Sequence, residues 1–202
     1  MKLYYSPMAC SLSPHIVLRE AGLDFELVRV DLKTHTLAAD GSDYQKINPK
    51  GYVPYLELDD GQYLSEGPAI VQYLADRAPD KKLAPANGTM ARYRLQEWLT
   101  FINSELHKGF SPLFKPGVSD EAKEAAREQL ARRLDYVATQ LAGRSYLLGD
   151  GFSVADAYLF VVLNWGQWVG IDLANWSALA DYHARIGSRA AVQAALAAEQ
   201  AK

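Results

Sequence analysis

Residues 1–30 restrict the possible folds more than any other part of the sequence. Residues 2–5 are typical of a short strand, residues 11–21 have helical spacing, and residues 25–30 alternate apolar and polar side chains as a strand does. Gly22 marks the end of the predicted helix. A strand, a helix and a second strand in this order predict two parallel strands, because a parallel pair needs a crossover connection.

Two short segments after the second strand predict an antiparallel hairpin. Residues 55–58 and 62–64 flank Asp59-Asp60-Gly61, where glycine supplies the positive φ of a tight turn. Residues 67–77 then have helical spacing. The order βαβ followed by ββα is the layout of a thioredoxin-like domain, which we expect to span residues 1–79.

The rest of the chain has only helical patterns. Residues 80–88, with Pro85 and Gly88, predict a linker, and residues 89–202 predict an all-helical domain. The expected fold class is therefore α/β plus all-α, a thioredoxin-like domain followed by a helical domain. The supporting signals are the apolar stripe Leu95, Leu99, Ile102 and Leu106, a long helix over 119–141, a break at 149–151, the capping box Ser153-Val154-Ala155-Asp156 before an apolar helix, and helices over 176–186 and 190–198.

Charge and cysteine content restrict the partners and the compartment. With 202 residues and a formal charge of -3, the chain has no basic excess that would indicate nucleic acid or an anionic membrane. No apolar run approaches the ~20 residues needed to span a bilayer, and the N-terminus predicts a strand rather than a secretion signal, so we expect a cytoplasmic protein. The single cysteine excludes an intrachain disulfide and fits a reducing compartment. We expect no metal cofactor.

Cys10 lies where the first predicted strand ends and the first helix begins. The unpaired N–H groups and the dipole of a helix N-terminus stabilise an anion, so a thiol in such a place titrates below a free thiol. The spacing Cys10-x-x-Ser13 is a redox Cys-x-x-Cys pattern whose second thiol is replaced by a hydroxyl, so any exchange chemistry needs an external thiol. A lone cysteine is also commonly a small core residue, and position alone does not decide between the two.

Two features of the first domain indicate a ligand near Cys10. Val53-Pro54 precedes the third strand, where thioredoxin-like folds place a cis proline beside a bound peptide; the alternative is a trans proline at a strand edge. Ser65-Glu66-Gly67 opens a helix whose N-terminus and carboxylate can hold an amino-acid α-group. Plain helix capping by Ser65 or Glu66 has the same sequence pattern.

Two features of the helical domain extend this prediction. A polar face opposite the apolar stripe carries Thr100, Ser104, His107 and Lys108, although such a face is usually only solvated. Aromatic side chains can form a flat apolar wall for an aromatic co-substrate, although their usual role is packing. The candidates for this wall are Phe110, Phe114, Trp165 and Trp168.

The chain resembles the bacterial cytosolic glutathione transferases of the beta class, which carry an active-site cysteine. The resemblance covers essentially all residues, and five motifs in the right order make it specific. These motifs are Lys2-Leu3-Tyr4-Tyr5-Ser6-Pro7 through Cys10-Ser11-Leu12-Ser13-Pro14-His15; Asn48-Pro49-Lys50-Gly51-Tyr52-Val53-Pro54; Glu66-Gly67 with Ala69-Ile70-Val71-Gln72-Tyr73-Leu74; Ser104-Glu105-Leu106-His107-Lys108; and Ser153-Val154-Ala155-Asp156.

The resemblance implies a homodimer that conjugates its co-substrate glutathione to small, mostly apolar electrophiles. Cys10 would face the glutathione sulfur and form a mixed disulfide with it, which allows thiol–disulfide exchange or reductive dehalogenation, and Ser11 and His107 would assist catalysis. Ser104 would come from the other subunit. The implied glutathione-binding residues are Tyr5, Lys33, His35, Tyr52, Val53, Pro54, Ser65, Glu66, Gly67, Thr100, Ser104 and Lys108, and the implied electrophile pocket is Met8, Phe110, Phe114, Trp165 and Trp168.

Three positions depart from the family pattern. His35 stands where a lysine often contacts the glycine carboxylate, so either Lys33 or His35 takes that contact. Thr100 replaces a typical asparagine, and Met8 replaces a glycine beside the thiol. The alternative function is a non-catalytic protein that sequesters apolar ligands in the dimer cleft.

Overall fold

The computed structural model describes residues 1–149 and 151–200. The chain divides into two compact units, one formed by Met1–Leu83 with the segment beginning at Arg189, and the other by Ala84–Ser188. The boundary after Leu83 lies inside the predicted linker. The C-terminal segment differs from the predicted division, because its helix packs on the first helix of the chain. Residues 150, 201 and 202 of the predicted break and helical domain lie outside the described residues.

The described part of the first unit contains a five-stranded sheet of order β3-β2-β1-β4-β5. Strand β1 pairs parallel with β2, as predicted, and antiparallel with β4. Strand β3 has only two residues, which is too short to show a strand period in the sequence. The strands are β1 (Lys2–Tyr5), β2 (Glu26–Asp31), β3 (Thr36–Leu37), β4 (Tyr55–Glu57) and β5 (Tyr63–Ser65).

Three helices pack together in this unit: α1 (Leu12–Ala21), α2 (Gly67–Arg77) and α9 (Ala190–Gln200), with α1 in contact with the other two. Helix α1 is almost completely buried, and Gly22 ends it in the left-handed conformation with φ 66°. Helix α9 buries Val192, Ala195 and Glu199, which lie on one face. At its start, Arg189 Nε lies 2.6 Å from Glu20 Oε1. Helix α9 is therefore joined to α1 by apolar packing and by an ion pair.

The second unit is helical, as predicted for this part of the chain. The apolar stripe of the first long helix is buried, but a π-helical segment, Ile102–His107, interrupts that helix. Asp156 accepts the backbone N–H of Ser153, so the predicted capping box is confirmed. The helices are α3 (Met90–Phe101), α4 (Lys108–Phe114), α5 (Asp120–Leu141), α6 (Val154–Asn164), α7 (Gly166–Val169) and α8 (Ser177–Gly187). Among the described residues, no helix is long and apolar enough to cross a membrane.

Candidate functional site

Cys10 lies in the turn between β1 and α1, beside the loop that precedes β4. Its Sγ is 3.3 Å from the carbonyl oxygen of Val53, to which the thiol can donate. The Val53–Pro54 peptide bond is cis, as predicted. The thiol therefore faces the backbone edge at which an extended peptide can pair.

The turn that carries Cys10 is held by hydrogen bonds to its backbone. The Ser11 hydroxyl is buried, accepts the Ser6 N–H and donates to the Ser6 carbonyl, both at 3.2 Å. The Ser11 hydroxyl thus closes the turn, and its predicted catalytic role stays a prediction. Met8 has a left-handed backbone with φ 61°. Its N–H donates to Glu199 Oε2 at 2.8 Å.

Glu199 connects the Cys10 turn to the interior of α1. Its other oxygen, Oε1, lies 2.9 Å from Nδ1 of His15, and both side chains are fully buried. Arg19 Nε donates to His15 Nε2 at 2.9 Å. Because Nε2 accepts from Arg19, Nδ1 of His15 carries the hydrogen that Glu199 accepts. A buried chain of hydrogen bonds thus runs from Arg19 to the Met8 N–H.

A charged patch lies at the N-terminus of α2. Lys50 Nζ donates to Ser65 Oγ at 3.2 Å and to Glu66 Oε1 at 3.0 Å. Glu66 has a left-handed backbone with φ 69° and makes no capping hydrogen bond to α2. The side chains of Lys50 and Glu66 are more than half exposed, so solvent weakens their pairing and a ligand can replace it. Gly67 opens the helix directly behind this patch.

A second edge of the site is formed by His35 and the loop before Pro54. His35 has φ 56°, and its Nδ1 lies 3.2 Å from the Gly51 carbonyl oxygen. A Cβ at Gly51, which has φ 67°, would lie 2.9 Å from that nitrogen, so this close approach requires glycine. Lys33 is exposed, and Tyr52 is exposed as well. Tyr5 is buried in β1, and its predicted contact with glutathione stays a prediction.

His107 is a buried titratable group of the second unit. Its Nδ1 lies 2.6 Å from the Tyr158 hydroxyl, which donates to Asn103 Oδ1 at 3.0 Å. Burial, with a smaller contribution from the nearby Lys108 charge, lowers the pKa of His107 to about 4. The imidazole is therefore neutral at physiological pH.

Aromatic rings surround His107 on the second unit. The centroid of Trp165 lies 4.8 Å from that of His107, 5.8 Å from that of Phe110 and 6.2 Å from that of Phe114. Three of the predicted pocket residues therefore lie together. Trp168 is half exposed, and Met8 belongs to the first unit.

The remaining predicted residues of the helical domain lie on an open face. Thr100 and Ser104 are exposed, and their hydroxyls donate to the carbonyls of Gln96 and Thr100. Lys108 is exposed too. The hydroxyl oxygens keep their lone pairs, so both can still accept a hydrogen bond from a ligand.

Comparison with known proteins decides the family. Residues 7–77 match the model of the glutathione S-transferase N-terminal domain, and residues 101–190 match that of the C-terminal domain. The chain is 48% identical over 202 residues to glutathione S-transferase GstA of Escherichia coli O157:H7, with all of both chains covered. The chain belongs to the glutathione S-transferase family.

Solved structures support the same assignment of this transferase. The ternary complex of BphK, a bacterial glutathione S-transferase, has a TM-score of 0.97 and 63% identity over all of both chains. A sphingomonad glutathione S-transferase solved with glutathione has a TM-score of 0.96 and 52% identity, again over both whole chains. The beta-class enzyme of Sphingomonas chungbukensis has a TM-score of 0.95 and 50% identity over 99% of each chain. The resemblance to the bacterial beta class is confirmed.

Sequence reasoning missed three residues of the site in this transferase. Lys50 lay inside a recognised motif but received no role of its own. The sequence does give a signal for Tyr158, because a hydroxyl in a mostly apolar buried helix needs a hydrogen-bond partner. It gives a second signal for Glu199, since this carboxylate lies near the end of an alanine-rich helix and follows apolar residues. Neither signal names the partner, which only the tertiary contact supplies.

Proposed function

We propose that this transferase binds glutathione along the Cys10 edge of its first unit and conjugates it to small apolar electrophiles. Cys10 additionally exchanges disulfides through a mixed disulfide with glutathione. The observation that carries the proposal is the 3.3 Å approach of Cys10 Sγ to the Val53 carbonyl at the cis proline. A tripeptide paired with the backbone of Val53 has its central cysteine next to this thiol.

The ends of the tripeptide meet groups of suitable charge. The γ-glutamyl ammonium takes the place of Lys50 Nζ on Glu66, and its carboxylate lies at the N-terminus of α2, where backbone N–H groups are unpaired. Lys50 remains close enough to pair with that carboxylate. The glycine carboxylate is held by His35 or by the exposed Lys33. These contacts make the first unit selective for a ligand with a charged group at each end.

The two reactions make different demands on Cys10. In conjugation, the glutathione thiolate forms a bond to the electrophile and the leaving group departs with its electron pair, while Cys10 is unchanged. In exchange, the Cys10 thiolate attacks a glutathionyl disulfide, releases the other sulfur as a thiolate and becomes a mixed disulfide. A second glutathione thiolate then releases Cys10 and leaves as oxidised glutathione. Ser13 cannot resolve the mixed disulfide, because a hydroxyl replaces the second thiol.

The aromatic group around His107 supplies the apolar surface for the electrophile. Phe110 and Trp165 are buried, whereas Phe114 is 48% exposed and offers its ring to a ligand. An apolar wall with one neutral polar group favours aromatic or halogenated substrates over charged ones.

We also propose that the enzyme acts as a homodimer, with Ser104 of one subunit near the glutathione of the other. A cavity of about 900 Å³ in the second unit has an aromatic floor that includes Trp98, Phe101 and Tyr136. Arg132 and Arg144 line it and form no ion pair within the described residues. A second copy of the chain covers such a groove. Light scattering of the wild type and of the Tyr136→Glu variant tests this, and a monomeric wild type refutes it.

The mass of the intact protein tests ligand and site together. Purified protein incubated with oxidised glutathione is expected to gain one glutathionyl group, which a reductant removes. Cys10→Ala is expected to lose both this adduct and disulfide exchange, while conjugation persists. Ser13→Ala is the matched control, since its buried hydroxyl has no hydrogen-bond partner among the described residues and its loss leaves the thiol in place. Full exchange activity in Cys10→Ala would exclude the proposed role of the thiol.

A further inference from the structure

The second unit contains a cavity of about 480 Å³ between the end of α6, the α7 turn and α8. Small-molecule sites commonly enclose about 300–1,000 Å³ and have mostly apolar walls with a few polar groups. This cavity has that composition: Leu163, Ile171 and Leu173 supply apolar surface, and His183 of α8 adds an imidazole. His107 is not among the described residues that line it, so the cavity is separate from the aromatic group proposed for the electrophile.

The α7 turn forms a closely packed wall of the cavity. The Ile171 N–H donates to the Gly166 carbonyl oxygen at 3.1 Å, and the Gly170 N–H donates to the same oxygen. A Cβ at Gly166 would lie 2.7 Å from the Ile171 carbonyl oxygen, so this approach requires glycine. Because these backbone groups pair within the turn, a ligand meets few unpaired polar groups on this side.

The imidazole of His183 is held in one plane and has one buried nitrogen. Its ring stacks on the buried ring of Phe160, with centroids 4.7 Å apart and 18° between the planes. Nε2 of His183 is buried and has no hydrogen-bond partner among the described residues. Burial lowers the pKa of His183, so the imidazole is neutral at pH 7 and has a single N–H group. A hydrogen on Nε2 would be a buried donor without an acceptor, which native proteins rarely contain, so the hydrogen lies on Nδ1.

Nδ1 is the nitrogen of His183 that a ligand can reach. Like Nε2 it has no hydrogen-bond partner among the described residues, but unlike Nε2 it is not buried. An accessible N–H group in an apolar wall is complementary to an acceptor oxygen, and among neutral groups a carbonyl supplies a strong one.

The charge of the cavity excludes acidic ligands. Asp172 is the single charged residue among the described residues that line it, so a negative charge there is repelled. Arg127 lies beside Gly170 but pairs with Glu124 at 3.0 Å, so it does not cancel the Asp172 charge.

We propose that this cavity is a second small-molecule site, which binds a neutral and mostly apolar carbonyl compound through the Nδ1–H group of His183. The apolar part of the ligand lies against the wall formed by Leu163, Ile171 and Leu173, and its oxygen accepts the hydrogen bond. Asp172 discriminates against carboxylates of the same size. Binding is non-covalent and does not depend on glutathione or on the proposed function.

Nitrogen NMR of the full-length protein with ¹⁵N-labelled histidines tests the site at pH 7. The signal of His183 is assigned from His183→Phe, or from His183→Gln if the first variant does not fold. The hydrogen is expected on Nδ1, and acetophenone should shift this signal until it saturates. Ethylbenzene lacks the oxygen and benzoate is charged, so both should bind at least about five-fold more weakly. The signal of His35 in the first unit is the internal control and should not move.

Variants then identify the groups that recognise the ligand. His183→Phe keeps a ring on Phe160 but removes the donor, so it should bind acetophenone about five-fold more weakly, which corresponds to the roughly 1 kcal/mol net contribution of a hydrogen bond. Asp172→Asn should strengthen the binding of benzoate. Asp181→Asn is the matched control, because it removes an exposed carboxylate of α8 that does not line the cavity, and it should leave benzoate binding unchanged. Calorimetry with each compound measures these affinities.

Several results would overturn this proposal. A wild type with its hydrogen on Nε2, or no saturable shift of His183, would show that the cavity holds solvent only. Equal affinity for ethylbenzene and acetophenone, or unchanged affinity in His183→Phe, would remove the imidazole from recognition. A shift of His107 without one of His183 would place acetophenone on the aromatic group around His107 instead.

Discussion

The Cys10 edge of the first unit and the His107 region of the second unit consist of different kinds of chemical group. The first consists largely of backbone groups and exposed charges, such as the Val53 carbonyl and the Lys50–Glu66 pair. The second is buried among aromatic rings, where the pKa of His107 is lowered to about 4. The difference shows that the groups at the Cys10 edge come from short motifs, whereas the environment of His107 depends on packing.

The sharpest test of this contrast concerns the two tryptophans of the second unit. Trp165 is buried against His107, Phe110 and Phe114, so Trp165→Ala should lower the free energy of unfolding by about 3–5 kcal/mol, the usual cost of removing a core aromatic. Trp168 is half exposed, so Trp168→Ala should cost less than about 1 kcal/mol. Urea unfolding of both variants measures this, and equal losses would show that the wall is not a packed unit.

The buried imidazole also predicts how stability changes with pH. The pKa of His107 is about 4 in the folded chain and about 6.5 when unfolded, so between these values the unfolded state binds more protons. Stability from this group is fully present above pH 6.5 and decreases by about 3 kcal/mol as the pH falls through 4. His107→Asn should lack this decrease. Urea unfolding at several pH values compares the two proteins, and parallel profiles would contradict the lowered pKa.

The Cys10 turn offers a case in which the first unit depends on packing as well. Glu199→Gln leaves one oxygen for two donors, the Met8 N–H and His15 Nδ1, and should cost about 1–3 kcal/mol of stability. It should also change the rate at which iodoacetamide alkylates Cys10. Glu97→Gln is the matched control, because Glu97 is exposed and pairs with the exposed Arg94. An unchanged alkylation rate would show that the contact with Glu199 of α9 does not affect the reactivity of the Cys10 thiol.

The smallest effect is expected for the exposed patch at α2. Glu66→Gln keeps the shape but removes the charge that pairs with an ammonium, so the KM for glutathione should rise about ten-fold, equivalent to roughly 1.4 kcal/mol. Stability should change by less than about 0.5 kcal/mol, since the pair is exposed. Steady-state kinetics and thermal unfolding measure both. A large loss of stability with an unchanged KM would make Glu66 a structural residue.

Much of the fold was predictable because its signals are local. The helix over 67–77, the Ser119 start of the long helix and the strand pairing of residues 2–5 with 26–31 follow from spacing, capping and turn chemistry within a few residues. The cis bond before Pro54 followed from the order of the elements. The π-helical segment escaped prediction, since its residues have the same apolar period as an ordinary helix.

The sequence alone therefore determined the two kinds of domain, the position of Cys10 at a strand-to-helix turn, and the family motifs around it. Only the tertiary structure decided that α9 joins the first unit, that Ser11 closes a turn, and that Tyr158 bonds to His107. The reason is distance along the chain: Glu199 meets His15 across 184 residues and Tyr158 meets His107 across 51. The chemical type of a side chain indicates what kind of partner it needs. The packing of the whole chain determines which residue is that partner.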